Sequence, residues 1–103
     1  MFGDMLGGLQ QKQEELKAKL STVELTESLN DGAVIITANA AREIVNIELD
    51  DTKIDMTDKS EIEDLVLVAV NNVLSKAAAK EAEMSQSLLS SILPPGMENL
   101  LGS

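Results

Sequence analysis

The chain of 103 residues has no cysteine, histidine, tryptophan or tyrosine, and Phe2 is its only aromatic residue. Each absence removes a class of function. Without cysteine there is no disulfide staple and no thiol nucleophile, which accords with a reducing cytoplasm. Without histidine as well, His-based triads and zinc–thiolate centres are excluded, and catalysis would have to rest on carboxylates, lysines, a single arginine and hydroxyls. No enzyme, cofactor, structural metal or small-molecule substrate is expected. The sequence also lacks an apolar run of about 18 residues, so no membrane span is expected. Its start, Met1-Phe2-Gly3-Asp4, lacks the basic and apolar segments of a signal peptide.

Positive charge is scarce too. Eight basic residues face eighteen acidic ones, for a formal net charge of −10, a field that favours solubility and repels polyanions. The acids are spread along the chain and read as a solvated surface.

What is present is apolar aliphatic content: 44% of residues are hydrophobic, enough to build a core from Leu, Ile, Val, Met and Ala in one domain. The segment from Ser60 to Gly96 is the most informative. Ile62, Leu65, Val66, Ala69 and Val73 follow the spacing of one buried helical stripe, while Leu67, Val70, Leu74 and Ala78 form a second stripe beside it. A chain this short has room for one modest core. The second stripe is therefore expected to meet another copy of the chain or a partner.

In order, the pattern predicts an α+β fold: a helix over about 4–21, strands over about 22–29, 33–39 and 42–50, and helices over about 60–83 and 84–93. Gly7 and Gly8 weaken the first turns of the opening helix. Asn30-Asp31-Gly32 tolerates positive φ and suits a hairpin turn, while Asn39-Ala40-Ala41 is a weaker turn. Val45, Ile47 and Leu49 alternate with polar residues, as in a strand with one wet face. Asp58 or Ser60, each followed three residues later by a glutamate, can cap the long helix. A break near Ser85–Ser87 would divide that helix, Pro94-Pro95-Gly96 stops it, and residues 97–103 form a mobile tail.

The order of these elements and several local strings resemble the YbaB/EbfC nucleoid-associated proteins across nearly the whole chain. The strings are Met1-Phe2-Gly3 with Gln10-Gln11-Lys12-Gln13, Val45-Asn46-Ile47-Glu48-Leu49-Asp50, Glu63-Asp64-Leu65-Val66 leading to Val70-Asn71-Asn72-Val73, and Leu93-Pro94-Pro95-Gly96. The resemblance implies a helix, a three-stranded antiparallel sheet, a long helix and a C-terminal helix, assembled as an intertwined, tweezer-shaped homodimer. It further implies a cytoplasmic, nucleoid-associated protein that binds DNA weakly and with little sequence preference. Two departures accompany it: Asn39 is followed by Ala40 where Asn-Gly is common, and Asp4 stands where a lysine is usual.

On that reading the candidate phosphate contacts are Lys12 and Lys19, seven apart on one helix face, Lys76 and Lys80, four apart on the long helix, and Arg42. Leu67, Val70, Leu74 and Ala78 are the candidate dimer interface. The blander reading of the lysines is solubility, with Glu15 placed to pair with Lys19. With no aromatic beyond Phe2 to stack on bases, single-strand and base-specific readout are not expected. The carboxylates Asp50, Asp51, Asp55 and Asp58 lack the ligand and glycine spacing of a calcium loop, and Glu61, Glu63 and Asp64 suit a helix start. One rival function is an acidic dimeric adaptor or chaperone using Met84, Leu88, Leu89 and Ile92 as an adaptable groove. Another is mimicry of nucleic acid toward a basic partner. A charge map and a gel shift at two salt concentrations separate these readings.

Overall fold

The computed structural model describes residues 2–92. The elements follow as α1 (Phe2–Thr22), β1 (Glu24–Leu29), β2 (Val34–Asn39), β3 (Ile44–Leu49) and α2 (Lys59–Ile92). The expected helix end at Leu93, the Pro94-Pro95-Gly96 stop and the tail of residues 97–103 lie outside the described residues.

Helix α1 continues through Gly7 and Gly8, because glycine lowers helix propensity without forbidding helical dihedrals. It also extends to Thr22, a residue expected in the first strand. The Ser21 and Thr22 hydroxyls donate to the carbonyls of Ala18 and Lys19, each at 2.7 Å, and so stay within the last helical turn.

The strands form an antiparallel meander in the order β1-β2-β3. Asn30, Asp31 and Gly32 all adopt positive φ, at 51°, 56° and 87°, as their side-chain chemistry foretold. The second turn works without Asn-Gly. Arg42 takes the left-handed position at φ 65°, its N–H donates to the Asn39 carbonyl at 3.0 Å, and the Asn39 N–H donates to the Glu43 carbonyl at 2.9 Å. This is a three-residue hairpin loop closed by a left-handed residue. Buried Asn39 completes it: its Nδ2 donates to Glu43 Oε1 at 2.9 Å, and its Oδ1 accepts the Glu43 N–H at 3.1 Å. The same turn anchors α1, since the Ala40 N–H reaches the carbonyls of Leu20 and Val23 at 3.1 and 2.9 Å.

Asp58 is the N-cap of α2, its Oδ1 accepting the Glu61 N–H at 3.1 Å. The helix then runs 34 residues without the division expected near Ser85–Ser87. Isolated serines between good helix formers cost little, and no glycine or proline interrupts the segment. The first stripe packs on the sheet as its spacing predicts. Ala69 and Val73 are fully buried against Val34, Ile36 and Ala38 of β2, with Ile54 from the connecting loop in the same cluster. Small side chains at Ala38 and Ala69 let helix and strand approach closely.

Strand β3 departs from the expectation of one dry face: all six of its residues are exposed. The cause is the lateral position of α2, which lies over β2 and β1. Leu49 and Ile47 pair with buried Val34 and Ile36, so they share the helix-facing side of the sheet, yet the helix does not cover them. A bulge at Val45, between the Thr37↔Asn46 and Ala38↔Ile44 pairs, keeps Ile44 in step with that side.

Candidate nucleic-acid interface

Helix periodicity and two ion pairs fix how α2 is rotated on the sheet. Lys76 lies 3.0 Å from Glu27 and donates to the Thr26 carbonyl at 3.0 Å, so its side of the helix faces β1. Arg42, in the β2–β3 turn, pairs with Glu81 at 3.0 Å and marks the opposite flank. Leu67, Val70, Leu74 and Ala78 precede Glu81 at steps of three and four and lie on that flank. Leu67 is 60% exposed and Ala78 is exposed, while Val70 and Leu74 are half-buried. The second stripe therefore borders the uncovered side of β3, and together they leave an open apolar face.

The charged candidates divide into two groups. Arg42 and Lys76 are engaged by Glu81 and Glu27, and Lys80 pairs with Glu83 at 3.5 Å. Lys12 and Lys19 make no ion pair among the described residues, and neither does Glu15. The structure brings these three together. Lys12, Glu15, Leu16 and Lys19 of α1 line a groove of about 300 Å³ with Met84, Ser87 and Leu88 of α2. Along the helix axis the two lysines are about 10 Å apart, given a rise of about 1.5 Å per residue. Their ammonium groups suit phosphate as point charges, which carry no direct base information.

Sequence reasoning passed over Lys17 and Lys59, which also lack an ion pair among the described residues. Lys17 sits about 140° around α1 from Lys12. It lines a separate groove with Glu14, Ala18, Ser21, Ala41 and Glu43, where two carboxylates outnumber it. No spacing signal joins it to the other two.

The carboxylates of the β3–α2 connection serve their own backbone. Asp50 Oδ1 accepts the Thr52 hydroxyl at 2.6 Å and the Thr52 N–H at 2.9 Å, and Asp55 holds Thr57 in the same way. These bonds, the hydroxyl bond foremost, hold both carboxyls below the ordinary aspartate range. Among the described residues no group of three or more acidic side chains is placed to hold a metal, and no helix is long and apolar enough to cross a membrane.

Residues 1–92 match the sequence profile of the YbaB/EbfC DNA-binding family. The chain is 36% identical over 101 residues to a nucleoid-associated protein of Flavobacterium johnsoniae, with 93% of each chain covered. It is also 36% identical over 110 residues to a nucleoid-associated protein of Thermodesulfovibrio yellowstonii, covering 99% of this chain and 95% of that one. Among solved structures, an uncharacterized protein of Helicobacter pylori superposes with a TM-score of 0.75 at 20% identity, over 85% of this chain and 92% of that chain. At that identity the match speaks to the fold.

Proposed function

The chain belongs to the YbaB/EbfC DNA-binding family, a non-enzymatic one, and from this premise we propose that it is a homodimeric, nucleoid-associated protein that binds duplex DNA weakly through Lys12 and Lys19. The observation that carries the reading is the groove that gathers these two lysines, free of ion pairs among the described residues, on a chain of net charge −10. General attraction to a polyanion is absent, so binding needs a local concentration of free cations.

The homodimer rests on the open apolar face of Ile44, Ile47 and Leu49 beside Leu67, Val70 and Leu74. The shape supports it as well. The radius of gyration is 18.9 Å, whereas a compact domain of this size has about 13 Å. Burying the face against a second copy would present the Lys12–Lys19 groove twice.

The test is a gel shift with duplex DNA of mixed sequence. A shift is expected at ~50 mM salt, fading by ~200 mM. If the dimer shifts no duplex at the lower salt, the acidic adaptor reading replaces it, with Met84 and Leu88 in the same groove as its contact surface.

A further inference from the structure

One side chain in the α1–α2 groove has the wrong sign for a phosphate. Glu15 stands three residues after Lys12 and four before Lys19, and it lines the same groove. Glutamate four residues before lysine is the favoured order for a helical ion pair. Glu15 nevertheless makes no such pair and no side-chain hydrogen bond among the described residues. Its charge is open to whatever enters the groove. Leu16, Met84 and Leu88 line the space beside it.

We propose that Glu15 sets the affinity of the Lys12–Lys19 edge for phosphate. Its carboxylate opposes each phosphate that the two ammonium groups attract, leaving one net positive charge in the groove where the lysines alone would give two. The contact with DNA is thereby kept weak and readily reversed. This inference rests on the DNA reading above, and its test separates the two.

Glu14 provides the control. It adjoins Glu15 in sequence but lines the other groove, with Lys17, Ala18, Ser21, Ala41 and Glu43. Glu14→Gln and Glu15→Gln change the net charge equally, so they differ in their relation to Lys12 and Lys19. Both positions are exposed on a helix, where such a change seldom disturbs folding.

Wild type and both variants are titrated with mixed-sequence duplex at ~50 mM salt, and separately with inorganic triphosphate followed by the side-chain NMR signals of Lys12 and Lys19. E15Q is expected to bind duplex roughly three- to tenfold more tightly than wild type, and E14Q to stay within about twofold. E15Q is also expected to strengthen the triphosphate response at both lysines. If no protein binds duplex while E15Q still strengthens triphosphate binding, the DNA reading falls and the role of Glu15 in the groove stands. Equal gains for E14Q and E15Q, no gain for E15Q with either probe, or no binding of either probe by any protein overturns the inference.

Discussion

The Lys76 ammonium lies 3.0 Å from the Glu27 carboxylate and 3.0 Å from the Thr26 carbonyl, and so ties α2 to the edge strand β1. Glu27 alternates with Leu25 and Leu29 on the half-buried side of β1, where a carboxylate needs a partner. Lys76 is that partner. It is also half-exposed, which limits the energy at stake.

Lys76→Glu is therefore expected to lower stability by ~1–2 kcal/mol, through loss of the hydrogen bond and ion pair and the new repulsion from Glu27. Lys12→Glu and Lys19→Glu should change it by less than ~0.5 kcal/mol, as surface substitutions away from partners do. Urea denaturation midpoints of the three variants check this. Equal effects at all three positions would mean that Lys76 contributes no tie.

Leu67→Asp is expected to separate assembly from folding. Leu67 is 60% exposed in the single chain, so the charge disturbs little within one copy. At a dimer interface the same charge would be buried without a partner and cost several kcal/mol. Light scattering should give about twice the chain mass for wild type and the single-chain mass for the variant. A wild type that stays monomeric at micromolar concentration refutes the homodimer.

Two lysines on each of two copies would offer about four phosphate contacts, for a slope of log K against log salt of roughly −3 to −4. The Lys12→Glu/Lys19→Glu variant is expected to lose measurable duplex binding at ~50 mM salt while keeping its far-UV circular dichroism. Binding by wild type should be nearly indifferent to sequence, because phosphate contacts position a protein without reading bases. Fluorescence anisotropy across salt and across several duplexes measures all three.

The turns at Asp50 and Asp55 make a prediction in pH. Their carboxyls titrate below the ordinary aspartate value of 3.8, Asp50 because of the Thr52 hydroxyl, its backbone N–H and the nearby Lys53, and Asp55 because of the Thr57 hydroxyl and N–H. A depressed folded-state pKa favours the ionised form. The stabilisation is thus present above the unfolded-state pKa and is lost as pH falls through the lowered folded value. Thr52→Ala and Thr57→Ala should each raise the titration midpoint of the adjacent aspartate while leaving the other unchanged, as followed by carboxyl ¹³C NMR. Unmoved midpoints would show that the hydroxyl bonds are not the cause.

The departures from expectation share a pattern. Asn30-Asp31-Gly32 was legible because positive φ is a local property of those side chains, and the strands were legible because alternation repeats every two residues. The full exposure of β3 was not, since Val45, Ile47 and Leu49 alternate as a one-sided strand does whether or not a helix covers that side. Nor was the left-handed turn at Arg42, a residue with no bias toward that conformation. Lys76 and Lys80 read as equivalent to Lys12 and Lys19, because lysines on exposed helix faces look alike in sequence.

By itself the sequence determined the order of the opening helix, the three strands and the long helix after them, the two candidate caps of that helix, the apolar stripe that meets the sheet and the exclusion of thiol and imidazole chemistry. All of these follow from composition or from interactions within a few residues. Only the tertiary structure decided which cations meet a carboxylate among the described residues and which do not. Arg42 meets Glu81 across 39 positions and Lys76 meets the Thr26 carbonyl across 50, while the Lys12–Lys19 groove exists only where α1 and α2 come side by side. An ion pair forms between groups a few ångströms apart in space, and helix packing brings residues that close without regard to their distance in sequence.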